Sequence, residues 1–188
     1  MEAASDNALM LKVKAGDSDR LGLLFERYHR PLYSFFIRLT VQSEASEDLV
    51  QNVFLRMLKY RHTYTGDGEF KTWMYHLARN VHADYYRKHK RQGLADDYTN
   101  LENKLRDDFN PEEQTQHTEE LLLLQVALSH LEIEKREVLV LSRFQGLKYK
   151  EIADLYGCTE GAIKVRAFRA LDELKTIYLK LDRQEIGK

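Results

Sequence analysis

Apolar residues recur along most of the chain at three- and four-residue intervals, and no alternating run competes with them. That period predicts helices throughout. Leu21–Leu39 reads LGLLFERYHRPLYSFFIRL, an apolar-rich helix expected to bend at Pro31, where the ring removes a backbone donor. Ser43 or Ser46 can cap the next helix, SEDLVQNVFLRMLKY. Thr65-Gly66-Asp67-Gly68 is a break, and a long helix follows from Glu69 to about Arg91. From Gly93 to Thr118 the apolar content falls, acidic residues dominate and Pro111 intervenes, which reads as a linker. Beyond it come ELLLLQVALSHL, a helix from about Ile133 to Gln145, and a final pair of helices in GLKYKEIADLYGCTEGAIKVRAFRALDEL. The expected fold is all-α: two small helical domains, 1–93 and 118–188, joined by a flexible acidic linker over 94–117.

The final pair carries the clearest spacing. With Tyr149 as position one, Ala153 is five, Gly157 is nine and Ile163 is fifteen. A small residue at five lets a second helix cross closely. Glycine at nine supplies a turn of positive φ without steric cost. An aliphatic at fifteen buries the inner face of the second helix. This is the frame of a DNA-binding helix-turn-helix, whose second helix, from about Glu160, lies in a major groove. At about 100° per residue, Ala167, Ala170, Leu171 and Leu174 share the side of Ile163. Gly161, Lys164, Val165, Phe168, Arg169 and Asp172 face away. An outward Phe beside Lys and Arg suits contact with base edges, thymine methyls included, with phosphates anchored by the cations. The plainer reading is a helical hairpin with a solvated basic face.

Composition narrows the class. The chain has 188 residues, 43% of them hydrophobic, enough for one domain or two small ones and too apolar for disorder. Cys158 is the single cysteine, so neither a disulfide framework nor a thiolate cluster is expected. The charged start MEAASDNALMLKVKAGDSDR has no signal-peptide core, and no run approaches a membrane span, so a cytoplasmic protein is expected. The net charge of −1 hides a division. Residues 25–93 hold 12 Lys and Arg against 7 Asp and Glu, residues 94–120 hold 2 against 9, and residues 121–188 hold 12 against 10. Two basic segments thus flank an acidic one, and phosphate binding depends on such local surface rather than on the total.

Two further faces stand out. On SEDLVQNVFLRMLKY, Val50, Val53, Phe54, Met57 and Leu58 form the apolar stripe, and Asp48, Gln51, Asn52, Leu55 and Lys59 share the opposite face. A polar face with one aliphatic fits a protein dock, or equally an ordinary solvated face with a stray Leu. On the helix from Glu69, Phe70, Met74, Leu77, Ala78, Val81 and Tyr85 make the inner stripe. Trp73, His76, Asn80 and Arg87 flank it, running towards Arg87-Lys88-His89-Lys90-Arg91. Aromatics among cations suit single-stranded nucleic acid. They are equally a core edge followed by a helix C-terminus whose dipole favours cations.

Taken in order, LFERYHRPLYSF, EDLVQNVFLRMLK, FKTWMYHLARN with DYYRKHKR, and GLKYKEIADLYGCTEGAIKVRAFRAL resemble the extracytoplasmic-function sigma factors of bacterial RNA polymerase. The likeness spans roughly residues 20–180. It implies an initiation factor that binds core polymerase and reads the −10 and −35 promoter elements. Asp48, Gln51, Asn52, Leu55 and Lys59 would dock on the clamp helices of the largest subunit. The segment from Tyr64 to Arg91 would melt and read the −10 element. There the loop Thr63–Phe70 would hold an extruded base, with Tyr64, Phe70, Trp73, Tyr75, Asn80, Arg87, Lys88 and Arg91 as contacts. Lys148, Tyr149, Lys150, Lys164, Val165, Arg166, Phe168 and Arg169 would bind the −35 duplex. The acidic linker would run through the polymerase towards the RNA exit path. The resemblance also implies an anti-sigma partner, and neither a cofactor nor a small-molecule substrate. The chain departs from the family at Lys148, where a capping Ser is usual; losing that cap costs about 1 kcal/mol. Val165 replaces a common Ser, and Lys150 a frequent Glu.

Two other classes compete. A free-standing regulator would bind duplex DNA as a dimer without polymerase. An enzyme is disfavoured: His29, His62, His76, His82, His89, His117 and His130 are scattered, and no nucleophile motif, phosphate loop or metal signature appears. Cys158 falls in the turn; a redox role is open to it, but a half-buried structural Cys is the expectation.

Overall fold

A computed structural model describes residues 4–91 and 116–186. The described residues are almost entirely helical and contain no strand. They divide into two compact units. The first draws on Met1–Phe36 and Glu44–Gly93, the second on Ile37–Ser43 and Leu94–Lys188.

The first unit contains α1 (Asp6–Lys14), α2 (Arg20–Thr40, its end grouped with the second unit), α3 (Ser43–Lys59), a 3-10 turn (Arg61–Thr63) and α4 (Phe70–Arg91). Pro31 lies inside α2, as anticipated. The helix gives way at Val41, whose φ of 57° puts a β-branched residue in the left-handed region. That conformation costs about 1–3 kcal/mol and is usually left to glycine. Ser46 is not the cap of α3: it lies buried one turn inside a helix that starts at Ser43. The core interleaves Leu24, Leu32, Phe35 and Phe36 of α2 with Val53 and Met57 of α3 and Phe70, Met74, Tyr75, Ala78 and Val81 of α4. Phe35 meets Phe36 and Tyr75 edge-on, with ring centroids 5.2 and 5.3 Å apart. An ion pair of 2.6 Å from Arg56 to Asp84 ties α3 to α4. The Arg56 hydrogen bond, helped by Arg87, holds the Asp84 carboxyl below its ordinary range.

Helix α1 is not among the elements the apolar pattern predicts. Its Ser5 cap accepts from the Ala8 N–H at 3.2 Å, and Leu9, Met10 and Val13 are fully buried.

The second unit contains α5 (Gln116–Ser129), α6 (Ile133–Leu139) passing into a π-helical turn (Val140–Phe144), α7 (Tyr149–Tyr156) and α8 (Glu160–Ile186). The expected single helix to Gln145 is therefore α-helical for only half its length. The wider turn is marked by the Gln145 N–H donating to the Val140 carbonyl, 3.0 Å, and the Leu147 N–H to Leu141, 3.0 Å. Ala127, Leu128, Leu131, Leu139, Ala170 and Leu174 form the core, with Leu124, Ile177, Tyr178 and Leu181 against it. The buried Arg136 guanidinium donates to the carbonyl of Ser129, an acceptor that α5 leaves open at its end, and to that of Leu131 in the turn that follows. Of the stretch 94–117 expected as a linker, residues 94–115 lie outside the described residues, and Gln116 already belongs to α5.

Candidate nucleic-acid interface

Helices α7 and α8 cross as the 1-5-9-15 spacing requires. Ala153 and Ile163 are buried, and Gly157 sits at φ 61°, ψ 38°. The Cys158 N–H donates to the Ala153 carbonyl at 3.0 Å and the Gly157 N–H to Asp154 at 3.4 Å, the paired bonds of a Schellman ending. Helix α8 then opens on Thr159, whose hydroxyl accepts from the Ala162 N–H at 3.2 Å, a cap not picked out in the sequence. At the start of α7 the Lys148 side chain offers no acceptor. The Glu151 carboxylate, within the first turn, accepts from the Lys148 N–H at 2.6 Å, a different donor from the one a Ser cap would meet. Only the Glu half of a capping box is present, and the side-chain cap is lost as expected.

Phe168 projects from α8 with 74% of its surface exposed, beside exposed Lys164, Val165 and Arg169. Lys148 and Lys150 are also exposed, and Tyr149 is half-buried. Lys164 pairs with Glu160 at 2.7 Å, an exposed contact weak enough to be given up for a phosphate. Arg166 differs from its neighbours. It is half-buried, lies over the Tyr156 ring at 5.3 Å and reaches Glu134 at 3.6 Å. It braces α8 against α6 and α7. Two expectations are corrected: Leu171 is exposed instead of sharing the inner face, and Cys158 is exposed instead of half-buried.

The face of α3 is laid out as the period predicts. Asp48, Gln51, Asn52, Leu55 and Lys59 are all exposed, Leu55 by 66%, and Arg56 donates to the Asn52 side-chain oxygen at 3.2 Å. The face is polar, with one large apolar side chain standing out of it.

The third surface changes most. Tyr64, Phe70 and Tyr75 are buried, so these three are core rather than contacts. Tyr64 and Phe70 belong to one aromatic assembly: Tyr28 to Phe70 at 5.2 Å, Tyr64 to Phe70 at 6.2 Å, and Tyr64 to the half-buried Trp73 at 5.0 Å; Tyr75 packs on Phe35 instead. Burial, with Asp6 and Glu69 nearby, pushes the Tyr64 phenol up to about 12, so it stays a neutral donor. Sequence period had already put Phe70 on the inner stripe; the same residue cannot serve both faces. Asn80, Arg87, Lys88 and Arg91 are exposed along α4. Between the 3-10 turn and α4, Thr65, Asp67, Gly68 and Glu69 present an exposed loop. Among the described residues, no group of three or more His, Cys, Asp or Glu is placed to hold a metal, and no helix is long and apolar enough to cross a membrane.

A two-unit helical protein with a helix-turn-helix in its second unit and a basic, aromatic-backed helix in its first defines the class. Residues 24–92 match Sigma-70 region 2, and residues 121–174 match Sigma-70, region 4. The chain is 30% identical over 167 residues to the ECF RNA polymerase sigma factor SigX of Bacillus subtilis, covering 87% of this chain and 86% of SigX. It is 28% identical over 180 residues to the ECF RNA polymerase sigma-E factor of Escherichia coli K12, covering 92% and 94%. CnrH, solved in complex with the cytosolic domain of CnrY, shares the fold with a TM-score of 0.69 at 21% identity, over 95% of this chain and 99% of that one. RpoE of Bartonella quintana, solved with the anti-sigma factor NepR, does so at 0.65 and 23% identity, over 86% and 97%. The chain belongs to the extracytoplasmic-function sigma factors of the sigma-70 family. It is a promoter-specific initiation factor that binds RNA polymerase, and the free-standing regulator is not favoured.

Proposed function

We propose that residues 1–93 dock on core polymerase and open the −10 element, that residues 118–188 hold the −35 duplex, and that 94–117 tethers them. The observation that carries this division is the separation of two exposed surface types on two units. A polar face with a single protruding Leu55 lies on α3, and a protruding Phe168 among cations lies on α8. The first suits a protein groove and the second a DNA groove.

On this reading Asp48, Gln51, Asn52, Leu55 and Lys59 meet the clamp helices of the largest subunit. The loop 64–69 holds an extruded non-template base, while Asn80, Arg87, Lys88 and Arg91 follow the strand. Extrusion costs a few kcal/mol, so a loop that offsets it for one base selects sequence. Tyr64 and Phe70 serve as the rigid backing of that loop, while Tyr75 packs on Phe35 in the core. Lys148, Lys150, Lys164 and Arg169 anchor phosphates around Phe168 and Val165, and Tyr149 lies at the edge of the contact. An apolar pair at the base edges favours thymine methyls over hydrogen-bond donors. Bond-making stays with the core enzyme; this chain acts by binding, in the cytoplasm where its polymerase works. RpoE and CnrH are both solved with a partner, the anti-sigma factor NepR and CnrY; an anti-sigma partner is proposed for this chain by analogy.

The test is run-off transcription with purified core polymerase on a library of promoters. Adding this protein should convert non-specific initiation into initiation at a defined −10/−35 pair. Tight operator binding by the protein alone, with no promoter-specific run-off, would overturn the reading.

A further inference from the structure

The N-terminal helix holds the proposed base-binding loop through one stripe of side chains. Asn7, Leu11 and Lys14 are spaced i, i+4 and i+7, so they share a face of α1, while Leu9, Met10 and Val13 point into the core. The Asn7 side chain does most. Its Oδ1 accepts from the Phe70 N–H at 2.9 Å and from the Tyr64 hydroxyl at 2.7 Å, and its Nδ2 donates to the Gly68 carbonyl at 2.9 Å. The Phe70 N–H is one of the donors that α4 cannot satisfy internally, so Asn7 caps α4 from a different helix. Tyr64 begins the loop, and Gly68 and Phe70 lie at its end; a single amide therefore fixes both ends. Lys14 Nζ donates to the Tyr64 carbonyl. Leu11 lies under the middle of the loop: a Cβ on Gly66, whose φ is +82°, would sit 3.4 Å from the Leu11 methyls. The loop's outer residues, Thr65, Asp67, Gly68 and Glu69, stay exposed.

We infer that Asn7, supported by Leu11 and Lys14, is the positioning residue that sets the shape of the loop 64–69 and thereby the −10 base preference of this protein. The inference rests on the reading that this loop holds an extruded base. A loop rich in glycine and exposed on its outer side has many conformations to lose; a loop tied at both ends has lost them before the base arrives. Selectivity then depends on residues that never touch DNA.

The test uses the full chain with core polymerase on a pre-opened promoter whose −10 strand carries, position by position, each base or an abasic site. Wild-type protein should favour one base over the abasic site at one position. Asn7→Ala should lower that preference roughly tenfold, the worth of one to two net hydrogen bonds. Core affinity and binding to −35 duplex should be unchanged. Asn7→Asp keeps both acceptor bonds but loses the donation to the Gly68 carbonyl, so its preference should fall between wild type and Asn7→Ala; Lys14→Gln, which leaves α1 intact, should lower it in part. If wild-type protein distinguishes no base from an abasic site, the base-holding reading fails with everything built on it. If wild-type protein discriminates and Asn7→Ala discriminates equally, the reading stands and the positioning role is refuted. An Asp variant as deficient as the Ala one refutes it too, as does a loss of preference accompanied by an equal loss of core and −35 binding.

Discussion

Replacing Leu55 separates docking from folding. Its side chain is 66% exposed, so the first unit gains little from it, and substitution should change folding stability by less than about 0.5 kcal/mol. Burying a whole Leu side chain is worth about 1.5–3 kcal/mol. With two-thirds of the surface still to be covered, docking can draw about 1–2 kcal/mol from this residue, or about 5- to 30-fold in affinity. Leu55→Ala should lose most of that. Leu55→Asp should lose more, because a carboxylate must then be desolvated in the contact. Titration of labelled core polymerase gives the affinity, and thermal melting of the free protein shows that the fold is intact. Unchanged affinity for Leu55→Asp would remove the α3 face from the dock. A parallel fall in melting temperature would refute the assumption that Leu55 is idle in the free protein.

Phe168→Ala combined with Arg169→Ala should weaken initiation from −35-dependent promoters and leave core affinity intact. Loss of core affinity in the titration just described would mean that the surfaces are exchanged. Separately, Arg169→Ala should reduce the salt dependence of −35 binding by about one counterion, and Phe168→Ala should leave it unchanged; band-shift titrations across salt concentrations report both. Gly157→Ala should destabilise the second unit by about 1–2 kcal/mol, because a Cβ there meets nothing within 4 Å but must adopt φ 61°. Gly157→Asn should cost less, since Asn tolerates that region, and equal melting points for Ala and glycine would show that the turn relaxes. The Asp84 carboxyl, held low chiefly by Arg56, contributes stability above the ordinary carboxylate range and loses it as pH falls through its depressed value. The melting-point difference between wild type and Arg56→Met should therefore shrink below about pH 4. Its size at neutral pH should be under about 1 kcal/mol, because the pair is partly exposed. A difference that grows with acid would refute the sign.

Which parts of this fold could be read beforehand follows from how far each feature reaches along the chain. The helix-turn-helix is local: fifteen residues fix Ala153, Gly157 and Ile163, and the structure places all three in their predicted roles. The α3 face is local too, since its exposure depends only on the phase of one helix. The third surface was misread where two signals overlapped. Aromatics beside cations look like a stacking platform, yet Tyr64 and Tyr75 are core because α1 and α2 cover them, and the period of α4 alone does not reveal a second layer. Leu171 was misplaced for a simpler reason. At about 100° per residue it lies about 80° from Ile163, at the edge of the inner face, while Ala170 and Leu174 lie within about 20° and take the core positions. At the start of α7 the missing Ser cap was visible in the sequence, while the bond from the Lys148 N–H to Glu151 needed the geometry of that carboxylate.

Asn7 was illegible because its contacts lie 57 to 63 residues away and are polar. A hydrophobic period detects what a helix buries, and α1 buries only a few apolar residues within a charged stretch. What it supplies is hydrogen bonds, and those leave no period. This bears on how such a small protein selects promoters. On the proposed reading, exposed side chains such as Phe168 contact DNA directly, so changing them should alter preference and affinity together. A loop held from behind by Asn7 and Lys14 has its shape set independently of the charges proposed to bind the strand. If the loop holds the base and Arg87, Lys88 and Arg91 hold the strand as proposed, preference at the −10 element can change through α1 alone, and the two properties should be separable by mutation.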